Sequence, residues 1–269
     1  MSIITISRGS FGGGKMLAES LGAVLGYRCL GREAVAEKAA ACGVSQEQLL
    51  DALSKPPGFL ERFRHSRYQF IAIFQAALAE EVKAGKVVYH CNAGHLMLQG
   101  VSPLLKVRVI APLEKRVAMI QERLEVSPSE AVAYIRKVDE DRKNWTRYLY
   151  GVNWEDPALY DVVVNLGSMD VPEACQIVAT AARRKCFEFV GDWQTQLRDL
   201  VIGSRVRANL ATNPATSHLE FEVTSRQGRV SIEGRVTTAE ELEEIKRGAQ
   251  SVLGVAALDL DEVSLPSQT

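Results

Sequence analysis

The sequence predicts an α/β protein: a mostly parallel sheet flanked by helices, followed by a small αββαβ unit. Three observations carry this. Short apolar runs alternate with amphipathic stretches through about residue 189. A glycine-rich turn joins the first run to the first amphipathic stretch. After residue 189 the order becomes helix, hairpin, helix, strand.

The apolar runs place strands at 3–7, 86–90, 105–110 and 161–165. Helices are expected at 15–25, 32–41, 45–53, 60–84, 113–124 and 128–149, with a last one after Asp170. Ser127-Pro128-Ser129-Glu130 is a capping box with proline at the first helical position, and Asp170 with Glu173 repeats that logic. Residues 191–195 read as a linker. Beyond it come a helix at 197–210, strands at 219–224 and 229–236 around an Arg226-Gln227-Gly228 turn, a helix capped by Thr238 and Glu241, and a strand at 255–260. The expected domains are therefore 1–190 and 197–265.

Composition narrows the function class. The chain has 269 residues, 46% hydrophobic and 24% charged, with 32 Lys plus Arg against 33 Asp plus Glu. Such a balance excludes disorder and gives no general attraction to nucleic acid or anionic lipid, so no nucleic-acid partner is expected. Five scattered cysteines without a C-x-x-C pair point to reduced thiols. With no signal-like start and no apolar run of membrane length, the expectation is a cytoplasmic protein without a transmembrane segment.

The strongest chemical signal is Gly9-Ser10-Phe11-Gly12-Gly13-Gly14-Lys15, a G-x-x-x-x-G-K between a strand and a helix. Glycines let consecutive amides converge on an anion, the helix adds its positive end, and Lys15 supplies a point charge. Packing alone also produces Gly-rich turns; the lysine favours phosphate binding. Residues 9–16 are thus the candidate nucleotide-binding loop. Met16 stands where a Ser or Thr hydroxyl would hold Mg²⁺, and 86–95 contain no Asp or Glu to replace it.

Residues 3 to about 185 resemble the cytidylate kinase-like family of P-loop nucleoside monophosphate kinases. The likeness lies in Ile4-Thr5-Ile6-Ser7-Arg8-Gly9-Ser10, Gly14-Lys15, Leu21-Gly22, Gly26-Tyr27 and Arg32-Glu33. It continues in Val87-Val88-Tyr89-His90, Ala93-Gly94-His95, Asp139-Glu140-Asp141-Arg142, Trp145, Arg147, Leu149-Tyr150-Gly151 and Leu159-Tyr160-Asp161. The resemblance implies a three-layer kinase-like core, ATP with Mg²⁺ as donor, and a nucleoside monophosphate such as CMP as acceptor. One departure stands out: Cys91-Asn92-Ala93 occupies the place of the family's Gly-Arg-Asp triplet.

Phosphoryl transfer needs positive charge over the transferred group, commonly from arginines on a mobile lid. Arg142 and Arg147 on the helix from Pro128 are the candidate catalytic groups beside Lys15. Arg136, Lys143 and Arg147 share a helical face, and Asp139 could hold Arg142 or, through water, a metal; a solvated, ion-paired helix is the competing reading. Arg8, Arg32, Asn92, His95 and Asp139 are candidate substrate contacts. His90, Cys91 and His95 lack a fourth ligand, so no metal site is assigned. The stretch Arg62, Arg64, His65, Arg67 reads as the wet side of a helix whose other side is Phe63, Phe70, Ile71 and Phe74.

Residues 197–265 resemble a BON domain, through Ile202-Gly203-Ser204-Arg205-Val206, Gly228 to Gly234 and Ser251 to Val255. This implies a module for a protein or phospholipid partner. The function expected of the whole is an ATP-dependent phosphotransferase with such a module; the alternative is a non-catalytic nucleotide sensor that regulates partner or lipid binding.

Overall fold

The computed structural model describes residues 2–9, 11–40, 44–54, 66–91 and 93–264, with the side chains of Ser66 and Arg67 left out. The chain forms two compact units. One comprises 1–34, 54–56 and 85–190; the other comprises 35–53, 57–84 and 191–269.

The first unit is built on five parallel strands, β1 (Ile3–Arg8), β2 (Arg28–Gly31), β3 (Val87–His90), β4 (Leu104–Ile110) and β5 (Val162–Asn165), in the order β2-β3-β1-β4-β5. β1 is central, with Ile4 beside Val88 on one side and Leu105 on the other. Parallel sheets are covered on both faces, which is why Ile3 through Ser7 are all buried. One face packs on α1 (Gly14–Leu25) and α8 (Val171–Ala182), where Ile6, Val107 and Val164 meet Leu17, Leu21 and Val178. β2 and the short helix α5 (Gly94–Met97) escape the sequence reading. Each is only four residues long, and β2 buries Leu30 alone, so no periodicity reveals it.

α6 (Leu113–Leu124) and α7 (Pro128–Tyr150) form a helical pair, α7 starting at the expected capping box: Ser127 N–H donates to Glu130 Oε2 at 2.8 Å and Glu130 N–H to Ser127 Oγ at 3.3 Å. The carboxyl ends of the strands bring Arg8, Gly31, His90 and Ile110 to one edge, where open α/β sheets take their ligands.

The second unit contains α9 (Trp193–Thr212), β6 (Phe221–Arg226), β7 (Arg229–Arg235), α10 (Ala239–Gln250), β8 (Ala257–Asp259) and β9 (Val263–Ser264). β6 and β7 form the expected hairpin, with Gln227 and Gly228 both at positive φ (52° and 77°) as a tight turn requires. β8 and β9 pair with β7 in parallel, and the short β9 was not expected. The linker at 191–195 is corrected. Asp192 accepts from Thr195 N–H at 3.2 Å and starts α9 at Trp193, so the linker's last three residues are helical.

This unit also holds most of α2 (Arg32–Ala40), α3 (Gln46–Ser54) and α4 (Ser66–Val82). α4 lies against α9. The Tyr68 hydroxyl donates to Phe221 O at 2.8 Å, and Arg207 donates to Gln75 Oε1 at 3.0 Å. Ile71 to Phe74 are buried in succession, as expected of a helix covered on more than one side. Arg62, Phe63, Arg64 and His65 lie outside the described residues.

Asp199 of α9, 8% exposed, accepts from Ser225 Oγ at 3.1 Å, Gln227 N at 2.6 Å and Gly228 N at 2.8 Å, so one carboxylate fixes the hairpin turn. Asp199→Ala strands two turn amides and destabilises this unit by about 2–4 kcal/mol, measured by urea denaturation of the full chain.

Candidate phosphate-binding site

β1 runs directly into the glycine loop. Gly12 N–H donates to Gly9 O at 3.3 Å and closes a turn, and Gly13 caps α1 in the left-handed region at φ 75°. A Cβ at Gly13 would lie 2.6 Å from Leu166 Cδ1, and one at Gly14 2.4 Å from Arg8 Cδ. Glycine is therefore imposed by space as well as conformation. The amides opening α1 face the loop with the helix's positive end behind them. Ser10 is outside the described residues. Lys15 is exposed on the first turn, 3.7 Å from Glu19, and Met16 is 52% exposed.

Guanidinium groups surround this loop. Arg142 of α7, only 8% exposed, donates to Arg8 O at 2.9 Å. Arg116 of α6 lies against Gly9, with Nη2 3.2 Å from where a Cβ would stand, and pairs with Asp139 of α7 at 2.6 Å. Arg108 of β4 is buried and lines the same cleft as Gly9, Gly12, Arg116, Asp139 and Glu155. It donates to Trp154 O and stacks 4.5 Å from the centre of that indole.

These charges act on one another. Burial lowers the Arg8 pKa, with Arg32 and Arg123 lowering it further against Cys91 and Glu33. Burial, then Arg8, takes Arg142 down to about 10, so both groups stay cationic at neutral pH. Buried Arg8 Nε has no hydrogen-bond partner among the described residues. A polyanion entering the cleft would relieve this mutual repulsion.

The side chain of Phe11 ties loop to helices. Its φ is 53°, costly for a bulky residue, and its ring packs on Ile120, Ala131 and Ile135. Tyr134 meets it edge-on at 6.1 Å and Arg123 lies 5.6 Å above it.

On the β2 side, Arg32 Nη1 donates to Ser54 Oγ at 2.7 Å and its Nε to Glu33 at 2.9 Å, and Arg32 lies within electrostatic reach of Arg8 and Arg142. Burial, then Arg8, lowers the pKa of His90. Asn92 falls outside the described residues. His95 is placed elsewhere, lining a larger cavity of about 440 Å³ with Lys106, Asp161 and Phe187. That cavity holds neither the loop nor its arginines, so the smaller cleft is the functional candidate. Arg147 and Arg136 are exposed on α7 and do not line the cleft; Lys143 reaches Glu155 at 3.9 Å.

The Mg²⁺ that the resemblance implies finds no fitting ligand set here. Met16 offers sulfur, Asp139 and Glu155 are already ion-paired, and among the described residues no three His, Cys, Asp or Glu side chains are grouped to hold a metal.

A glycine loop between the central parallel strand and a helix, ringed by guanidinium groups, defines a P-loop α/β protein of the kinase type. Residues 3–168 match the model of the cytidylate kinase-like family, and the chain belongs to that family; residues 198–262 match the BON domain. A cytidylate kinase of Ignicoccus hospitalis is 28% identical over 186 residues, 68% of this chain and 98% of its own length. One of Methanocaldococcus jannaschii is 28% identical over 104 residues, 38% of this chain and 58% of its own length. The chain thus spans little more than half of that second relative. An uncharacterized protein of Eubacterium ventriosum shares the fold, with a TM-score of 0.53 at 20% identity over 68% of this chain and 100% of that one.

Sequence reasoning missed Arg108, Arg116, Trp154 and Glu155. A signal for Arg108 existed: in Leu105-Lys106-Val107-Arg108-Val109-Ile110, a charge in a strand with both faces covered requires a reason.

Phe11→Ala removes the loop's anchor and costs about 1–2 kcal/mol in thermal denaturation, while Phe11→Leu costs less. Burial, then Lys106, lowers the His95 pKa to about 4. The unfolded chain takes up this proton near pH 6.5, the folded one only near 4. Stability is therefore full above about pH 6.5 and falls by up to about 3 kcal/mol on acidification to 4. In His95→Phe that share of the acid loss disappears from urea curves measured across this range.

Proposed function

We propose that this chain is an ATP-dependent phosphotransferase acting on a nucleoside monophosphate or a similarly small acceptor. The observation that carries the reading is the convergence of Arg8, Arg116 and Arg142 on the Gly9–Lys15 loop. Amides at Gly13 and Gly14 would hold the donor's outer phosphates, and Lys15 would turn from Glu19 toward them. Arg142 and Arg8 would stabilise the charge on the equatorial oxygens as the bond from Pγ to the departing diphosphate breaks and the bond to the acceptor oxygen forms. Arg32, following β2, would steer an anionic acceptor. The names of the two curated relatives favour CMP as the first acceptor to test.

The BON domain would serve as a binding module for a protein or phospholipid partner, and the protein would act in the cytoplasm. Among the described residues no helix is long and apolar enough to cross a membrane. A second reading, a nucleotide sensor without turnover, is favoured by Lys15 pairing outward with Glu19 and by Met16.

The two readings separate in one assay. Purified protein with ATP, Mg²⁺ and a panel of nucleoside monophosphates should form ADP in an acceptor-dependent manner, and Arg8→Ala should lower kcat/KM by roughly 100-fold. ATP binding without ADP formation for any acceptor supports the sensor.

A further inference from the structure

We infer that the loop takes up a nucleoside polyphosphate as the free polyanion, its charge met by guanidinium groups rather than by a divalent cation, with Arg116 standing where a metal would otherwise be needed. This rests on the nucleotide-binding reading and deepens it. The argument starts from donors. Mg²⁺ demands hard oxygen ligands in near-octahedral array. The position after Lys15 offers a half-exposed thioether, and the two carboxylates that line the cleft already face cations: Asp139 meets Arg116 at 2.6 Å, and Glu155 lies 4.0 Å from Arg108 and 3.9 Å from Lys143. A divalent ion would have to displace these partners.

The cations are supplied in its place. Among the described residues, Arg8, Arg32, Arg108, Arg116 and Arg142 lie within electrostatic reach of one another or of the same carboxylates, Glu33, Asp139 and Glu155 among them. Several of these guanidinium groups are buried or nearly so, and each carries a planar fork of donors that matches a pair of phosphate oxygens. Among the described residues Arg8 Nε has no hydrogen-bond partner. Arg116 sits on Gly9 itself, where the absent side chain lets the guanidinium approach the loop backbone. A metal-bound nucleotide brings less negative charge into this excess and gains less from it.

The test is calorimetric titration of the full chain with ATP, once in EDTA and once in excess Mg²⁺. ATP binding in EDTA at least as tight as in Mg²⁺ is the expected result. Binding that needs Mg²⁺, or that is more than about tenfold tighter with it, overturns the inference while leaving the nucleotide site standing. Binding in neither condition removes the nucleotide reading, and this one with it. Arg116→Ala should weaken binding in EDTA by about 10- to 100-fold and create a gain on adding Mg²⁺, because Asp139 loses its ion pair with Arg116. A purely structural role would weaken both conditions equally and count against the proposal. Arg116→Lys, which keeps the charge and loses the fork, should fall between, and circular dichroism verifies that each variant folds.

Discussion

Guanidinium groups withdrawn from water beside a glycine loop set the terms for the first unit. Arg142 and Arg108 are each 8% exposed, and their nearest fixed partners are main-chain carbonyls, of Arg8 and Trp154, rather than carboxylates. Carbonyls satisfy hydrogen bonds without cancelling charge, so the positive field remains directed at the loop. A site organised for an apolar ligand would not keep these charges buried.

The topology makes the arrangement possible. Because β1 is central and every strand is parallel, the segments after β1, β2, β3 and β4 emerge at one edge. Arg8, Arg32 and Arg116 come from three of them and so share a neighbourhood despite their separation in sequence. The α6–α7 pair adds Asp139 and Arg142 from one helix turn, and Phe11 fastens the loop to the same pair. Loop shape and charge placement thus depend on one small apolar cluster.

Much of this was legible in the sequence. The three capping boxes at Ser127, Asp170 and Thr238 each form with both reciprocal bonds, since short-range donors and acceptors need only local geometry. The loop could be read for the same reason: its glycines and lysine are contiguous. Arg116 and Glu155 could not, because their meaning comes from contacts with residues far along the chain. β2 exists through pairing with β3, extended by Arg28 N–H to O of Lys86 just before that strand at 2.9 Å, and carries too few apolar residues to announce itself. Sequence spacing grouped Arg147 with Arg136 and Lys143 on one helical face, yet packing leaves Arg147 in solvent and buries Arg142 instead.

The core shared by α4 and α9 has a consequence for biosynthesis. α4 leaves the ribosome well before α9, and the whole stretch from Val82 to Trp193 must be translated in between. Until then the face of α4 that α9 covers in the finished unit waits for that partner. The nascent polypeptide therefore passes through a long interval with one side of this helix still without α9, a period when chaperone capture or slowed elongation would decide the yield of native protein.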